Sequence, residues 1–166
     1  MAVIVEDGSV VANANSYVTR AEYIGYAAEL GVTIPNDDAA DVHLVKAANF
    51  INDQEIRLKG KKVSRDQSLA WPREGVEIEG WNWSSTEIPR QVLLCQLALA
   101  LDINSGIDLW NRNKSADPVV KRKRVEGAVE IEYAVSDNAA QLGRASTSGA
   151  LLRALYKRSG LVLIRS

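Results

Sequence analysis

A cluster of basic and aromatic residues is the part of the sequence whose residue types and spacing best suit a binding chemistry. Five basic residues lie within residues 57–65 without an acidic residue among them: Arg57, Lys59, Lys61, Lys62 and Arg65. Three tryptophans follow: Trp71, Trp81 and Trp83. Cations hold phosphates and aromatic rings stack on bases, so this combination predicts a surface that faces single-stranded nucleic acid. A loop that faces a protein partner is an equally good interpretation.

A second basic run, residues 121–124 (KRKR), has a structural explanation. The residue pattern predicts a β-hairpin in which a turn at Glu126 and Gly127 joins strands 119–125 and 128–135. The lysines of the run then face glutamates of the second strand, and opposite charges across a hairpin stabilise it. A solvated, paired face is the favoured interpretation, with a nucleic-acid site as the alternative.

Residues that could catalyse a reaction or hold a metal ion are scarce. His43 and Cys95 are the only histidine and cysteine, which excludes a zinc site of the usual type. We expect Cys95 to pack in the core and His43 to lie on the surface. Three carboxylates, those of Asp37, Asp38 and Asp41, could suggest a metal or acid–base site, but a favourable interaction with a helix dipole explains them more simply. The chain is therefore expected not to be an enzyme and to bind no cofactor and no metal.

Composition describes one ordinary globular domain. The 166 residues are 46% hydrophobic and 25% charged, with a net charge of −1. Such a balance gives no overall field that attracts nucleic acid or a membrane, so any such binding needs a local patch. The longest strongly apolar stretch, residues 92–101, is too short to span a bilayer. We expect a soluble protein of a reducing cytoplasm, without a disulfide and with no membrane partner.

Start and stop signals predict two helices in the first third of the chain. Thr19 and Glu22 have the spacing of a capping box, and Gly31 is placed to end the helix that follows. Asn36 is a good cap for a second helix, which is predicted to run to about Gln54. The predicted buried face of this helix contains apolar residues at helical spacing: Val42, Val45, Ala48 and Ile51.

The remaining elements are separated by long connections. Periodicity fades over residues 57–85, and Pro89 then opens an apolar helix that must be buried on most sides, by its own domain or by neighbouring subunits. A polar loop is predicted over residues 136–148 and a short helix over residues 150–157. The final apolar segment has the character of an unpaired β arm: Leu161, Val162, Leu163 and Ile164.

Together these elements predict an α+β fold that is mainly α, a small helical bundle with a β-hairpin and extended N- and C-terminal arms. Residues 1–166 are interpreted as a single domain. Its parts are an N-terminal arm (1–18), a helical core with the long central loop and the hairpin (19–135), and a C-terminal loop, short helix and arm (136–166).

Two stretches resemble a known family of tailed-bacteriophage proteins. Residues 7–9 (DGS) and 12–18 (ANANSYV) are similar to the opening of that family, and residues 66–75 (DQSLAWPREG) resemble its central signature. Members of the family are commonly labelled DnaT-like single-stranded DNA-binding proteins. The same proteins look like head–tail connector (adaptor) subunits, which form a ring beneath the portal of the capsid.

The resemblance implies, as the favoured function, an adaptor subunit in the virion at the head–tail junction, assembled in the bacterial host cytoplasm. A balanced charge suits a ring that lets DNA pass without gripping it, and extended ends suit strand addition to neighbours. The implied partners are other copies of the chain in a homo-oligomeric ring, the portal protein, a tail or second adaptor protein, and genomic DNA that passes through the channel without sequence specificity.

Two segments are the candidate subunit or portal interface of such an adaptor. One contains Trp71, Pro72 and Arg73, where the stiff backbone would hold Arg73 to clamp a carboxylate or a carbonyl at a subunit boundary; an intramolecular salt bridge to Glu74 or Glu77 is the alternative. The other is the C-terminal arm of residues 161–164.

The alternative function is that of a DnaT-like single-stranded DNA-binding protein acting in phage replication. It would use the basic run of residues 57–65 as its DNA-facing segment, together with Trp81 or Trp83.

Overall fold

The computed structural model describes residues 2–110 and 146–157. In this part of the chain the α-helices are α1 (Arg20–Glu29), α2 (Asp37–Asp53), α3 (Arg90–Asn104) and α4 (Ser146–Leu155), and a 3-10 turn covers Glu55–Arg57. The strands are β1 (Lys61–Lys62), β2 (Arg73–Glu74), β3 (Val76–Ile78) and β4 (Trp81–Trp83). The predicted fold class, α+β and mainly α, is confirmed. The hairpin predicted over residues 119–135 and the arm of residues 161–164 lie outside the described residues.

Helix α1 begins and ends where its capping signals predicted. The Thr19 hydroxyl accepts a hydrogen bond from the Glu22 backbone N–H at 3.2 Å, and the Glu22 carboxylate accepts one from the Thr19 N–H at 2.6 Å. Both bonds satisfy backbone donors that the first helical turn leaves unpaired. After the helix Gly31 adopts a positive φ of 70°. Tyr23 and Ala27 are the buried residues that attach α1 to the core.

Helix α2 has the predicted cap but a different buried face. The Asn36 side chain accepts a hydrogen bond from the Ala39 N–H at 2.8 Å. Ala48 and Ile51 are buried as predicted, whereas Val42 is 37% exposed and Val45 is half-buried. The face that packs inward is rotated towards small residues and is formed by Ala40, Asp41, Leu44, Ala47, Ala48, Phe50 and Ile51. Small side chains on this face allow a close approach of the neighbouring helices.

Helix α3 is the centre of the core and packs against both α2 and α4. Pro89 stands at its N-cap, one position before the predicted place. Cys95 is fully buried, so the prediction of a core thiol is confirmed. The other apolar residues of the helix are buried or packed against the same core, so the chain itself covers most of this helix. Helix α4 starts at Ser146, within the predicted loop, and places Leu152 and Leu155 in the core.

The N-terminal segment packs onto the domain, which corrects its prediction as an extended arm. Val5 forms a parallel bridge with Ser16, and Tyr17 and Val18 belong to the hydrophobic core. The carboxylate of Glu6 is fully buried and accepts hydrogen bonds from the N–H groups of Gly8, Val10 and Val11 at 2.8–3.0 Å. These bonds fold residues 6–11 into a loop around one side chain.

The central connection of residues 57–85 is not structureless. β1 pairs with β2 and β3 pairs with β4, both antiparallel, which makes two small sheets. Glu79 and Gly80 join β3 to β4 with positive φ values of 55° and 83°, as a two-residue type I′ turn requires. Within the described ranges, 2–110 and 146–157, no helix is both long and apolar enough to cross a membrane.

Candidate nucleic-acid interface

The segment around Trp71 is a buried support for the basic run. Trp71 is 0% exposed, Pro72 is buried and the peptide bond between them is cis. The Gln67 side chain holds the turn, because its amide donates to the carbonyls of Leu69 and Pro72 at 2.8 and 3.0 Å. Trp71 and Pro72 therefore contact the chain itself, and the structure shows them within the core and not on a surface.

Arg73 joins this segment to the basic run. Its guanidinium donates hydrogen bonds to the carbonyl oxygens of Lys59, Gly60 and Ala70 at 2.7, 2.9 and 3.1 Å. Burial lowers the pKa of Arg73 from its ordinary value, since the cation is removed from water. The acceptors are carbonyls, as one interpretation predicted, but they belong to the same chain, and in the described residues neither Glu74 nor Glu77 pairs with Arg73.

The two signature segments of the sequence touch each other. The Tyr17 hydroxyl accepts a hydrogen bond from the Trp71 N–H at 3.2 Å, and the Asn52 side chain accepts one from the Ala70 N–H at 2.7 Å. Burial raises the pKa of Tyr17 far above its ordinary value, so the phenol stays neutral. Tyr17 is in turn fixed by Gln96, whose side chain accepts from the Tyr17 N–H at 2.8 Å. Sequence reasoning missed Asn52 and Gln96, although Gln96 is the one strongly polar side chain in an apolar run.

The basic residues lie along one short segment that Arg73 holds in place. Arg57, Lys61 and Arg65 are exposed, and Lys59 and Lys62 are half-buried. Two of the five form ion pairs: the Lys61 ammonium lies 2.9 Å from a Glu74 oxygen, and the Lys62 ammonium lies 2.8 Å from a Glu55 oxygen. Arg57, Lys59 and Arg65 have no ion pair with any residue in the described ranges.

The three tryptophans of the sequence pattern have different environments. Trp71 is buried, Trp83 is half-buried and Trp81 is 75% exposed. In the β3–β4 register Trp83 pairs with Val76 and Trp81 pairs with Ile78, so both tryptophans project from the same face of the hairpin as two core residues. Trp81 extends beyond the core at the turn end of this face.

The aromatic hairpin and the basic segment abut at Gly60. A Cβ at Gly60 would overlap the Glu74 carbonyl and the Val76 side chain, so only glycine allows this approach, and its φ is +67°. An open cleft of about 540 Å³ lies at this point, lined by Gly60, Lys61, Glu74 and Gly75. We use the name basic–aromatic surface for the basic residues of this segment together with the exposed ring of the hairpin: Arg57, Lys59, Lys61, Lys62, Arg65 and Trp81.

The other titratable residues form structural contacts. The Arg20 guanidinium binds both carboxylate oxygens of Asp41 at 2.7 Å and one of Asp37 at 2.8 Å, and it lowers the pKa of Asp41. His43 is half-buried, its Nδ1 lies 3.2 Å from the Tyr23 hydroxyl, and burial lowers its pKa. No group of histidines, cysteines or carboxylates that could hold a metal ion occurs in the part of the chain that the structure describes.

Comparison with known proteins gives one match. Residues 1–165 match the family described as "Putative DnaT-like ssDNA binding protein". The chain belongs to this family. No curated protein and no solved structure was found to match. The DnaT-like part of the resemblance is thereby confirmed, while no comparison supports a head–tail connector.

Proposed function

We propose that this member of the DnaT-like family binds single-stranded DNA, without sequence preference, through the basic–aromatic surface. The observation that carries the proposal is the 75% exposure of Trp81 on a hairpin that abuts a segment with five cations. An exposed aromatic ring on a hairpin that abuts a basic segment offers base stacking and phosphate binding on neighbouring elements. Family membership supports the same ligand.

Each part of the surface has a separate task in this mechanism. Arg57, Lys59 and Arg65, which have no ion pair in the described ranges, would contact phosphates along the strand. Trp81 would stack on an unpaired base, which a duplex does not offer. Trp83 is half-buried against the core and presents less of its ring. Binding without catalysis and without a cofactor is part of the proposal.

Substitution of Trp81 tests the proposal directly. In a fluorescence anisotropy titration with a labelled oligothymidylate, Trp81→Ala is expected to lower affinity roughly tenfold, because stacking on an aromatic side chain contributes about 1–3 kcal/mol per base. Trp81→Phe keeps a ring and is expected to retain part of that affinity. Leu30→Ala is the matched control, since Leu30 is another large apolar residue that is 57% exposed, on a different element.

The salt dependence of wild-type binding completes the experiment. Affinity is expected to fall steeply between low and physiological salt, since phosphate contacts release counterions. A duplex of the same length should bind more weakly than the single strand. No change in anisotropy at the lowest salt, or equal affinity of Trp81→Ala and wild type, would exclude this function.

A head–tail adaptor is the second candidate, and one observation favours it. Ile56 is 88% exposed and Leu30 is 57% exposed, on two different elements. Exposed aliphatic side chains contribute little to DNA binding, but a subunit of a ring needs two different protein-binding surfaces. In this proposal the chain would stand in the virion at the head–tail junction, in a ring that contacts the portal protein and a tail or second adaptor protein.

A further inference from the structure

Two carboxylates lie within the basic–aromatic surface and neutralise two of its five cations. Glu74 faces Lys61 directly across the β1–β2 pair, and their charged atoms are 2.9 Å apart. Glu55 reaches Lys62 from the 3-10 turn at 2.8 Å. The Lys61 and Glu74 side chains are 81% and 46% exposed, so solvent and ligands can reach this pair.

The exposed Lys61–Glu74 ion pair is not needed to hold the segment in place, whereas Lys62 is only 26% exposed in its pair with Glu55. Exposed ion pairs contribute little to folding stability, because water screens them and both side chains lose freedom. The position of residues 59–60 is fixed instead by the Arg73 guanidinium, which donates to both carbonyls. The fold therefore does not depend on the Glu74 carboxylate that lines the cleft, whereas Glu55 pairs with Lys62 and also partly opposes the lowering of the pKa of the buried Arg73.

We infer that Glu55 and Glu74 act as built-in counter-charges that determine which anions the surface accepts, an inference that rests on the proposed function. A phosphate that approaches Lys61 or Lys62 must displace a carboxylate or tolerate its repulsion. A single phosphate loses this competition, since it can contact one lysine only. A polynucleotide wins it, because its other phosphates are held at the same time by Arg57, Lys59 and Arg65.

The shape of the cleft fits this selectivity for a strand over a single nucleotide. Gly60 and Gly75 line it without side chains, so the backbone of a polynucleotide can pass close to the Lys61–Glu74 pair. Cβ positions at Gly75 meet no atom within 4 Å, which leaves that side open to solvent. The cleft has no enclosed end that would hold an isolated base.

The test compares Glu55→Gln, Glu74→Gln and the double variant with wild type against labelled oligothymidylate and against thymidine monophosphate. Each substitution removes one negative charge close to the ligand and is expected to raise oligonucleotide affinity about threefold, and the double variant about tenfold. The salt dependence should become steeper, by up to about 0.7 in slope for each lysine set free. The double variant should also gain measurable binding of the monophosphate.

Glu29→Gln is the control, because it makes the same change of net charge on α1, where Glu29 is exposed. Equal urea midpoints for all variants would show that folding is unchanged. If wild type binds the oligonucleotide and the two variants bind it no better than Glu29→Gln, the inference is wrong and the proposed function stands. If wild type fails to bind but the double variant binds, a strand does not displace the carboxylates, so the stated selectivity is wrong and the proposed function of the wild-type chain is excluded. Absence of binding by every variant overturns both.

Discussion

Single buried polar residues fix the geometry on which the surface depends. Gln96, which is 0% exposed, accepts a hydrogen bond from the Tyr17 N–H and donates to the Ser16 hydroxyl and the Leu44 carbonyl, all at 2.8–3.0 Å. It therefore ties α3 to α2 and to the N-terminal segment. Because Tyr17 contacts the Trp71 N–H, the position of the support below the basic run depends on this one amide.

Replacing Gln96 by Leu is expected to destabilise the domain by about 1–3 kcal/mol. The substitution keeps the apolar environment but leaves the buried Tyr17 N–H without a partner, and an orphaned buried donor costs about 1–3 kcal/mol. The midpoint of urea denaturation should fall while its slope stays unchanged.

Gln91 offers a matched comparison on the same helix. Its Oε1 is buried and has no hydrogen-bond partner among residues 2–110 and 146–157. Gln91→Leu removes a buried oxygen that has no partner in the described ranges, so this variant should be as stable as wild type or more stable. Equal losses of stability for both variants would show that side-chain shape, not hydrogen bonding, determines the effect.

The sequence pattern pointed to some of these polar residues but could not predict their hydrogen-bond partners. Gln96 is conspicuous in the apolar run, yet its bonds reach residues 52–80 positions away in the chain, and no local pattern encodes such a distance. Arg73 was singled out as a clamp at a subunit boundary, with a carbonyl among the possible partners, and the structure shows it bonded to carbonyls of its own chain. The sequence could not identify the acceptors, because the carbonyls of residues 59–60 lie beside Arg73 only in the folded chain.

At the scale of elements, local signals predicted the helices and missed the small sheets. Capping residues act within one helical turn, so Thr19 and Asn36 identified two helix starts. The strands β1–β4 contain two or three residues each, too few for a period of two to emerge. The exposed basic run was predicted as one segment, whereas its junction with the Trp81 hairpin depends on strand pairing and could not be predicted.

The turn of the β3–β4 hairpin carries a residue type that does not suit it. Glu79 has a φ of 55°, a left-handed conformation that costs a non-glycine residue about 1–2 kcal/mol and is better tolerated by asparagine. Glu79→Asn creates the Asn-Gly pair preferred in type I′ turns. We expect a gain of about 0.5–1 kcal/mol, seen as a rise of roughly 1–4 °C in the thermal unfolding midpoint.

The neighbouring strand supplies the control for this substitution. Glu77→Asn makes the same chemical change at an exposed position of β3, where φ is not positive and asparagine is a poor strand former. It should lower stability slightly. A decrease for both variants would contradict the strain assigned to Glu79.

At the scale of the molecule, the described residues form one hydrophobic core, and some large apolar residues remain exposed outside it. Its N-terminal segment is part of that core, so strand addition through residues 2–18 is no longer available as an explanation of assembly. The most exposed of these residues are scattered along the described chain: Leu30, Ile56, Trp81 and Trp110. These residues are where the two candidate functions differ, because DNA binding uses Trp81 and ring assembly would use Ile56 and Leu30.

The mass of the protein in solution separates the two functions. As an adaptor the chain should form particles whose mass is a multiple of 18.1 kDa in analytical ultracentrifugation at high concentration, or should sediment together with added portal protein. Ile56→Ser should shift that equilibrium towards monomer, because it removes the most exposed aliphatic side chain from the contact.

Val63→Ser is the control for this experiment, since Val63 is also an exposed aliphatic residue, at 40%, and lies next to the paired Lys62. A monomer at every concentration, with no portal binding, contradicts the adaptor. A monomer that binds oligothymidylate through Trp81 would instead support single-stranded DNA binding. The exposed ring and the basic segment would then bind the strand without a second copy of the chain. A ring that also binds single strands would place Trp81 on a surface that stays exposed after assembly, and Ile56→Ser would then release monomers that keep their DNA affinity.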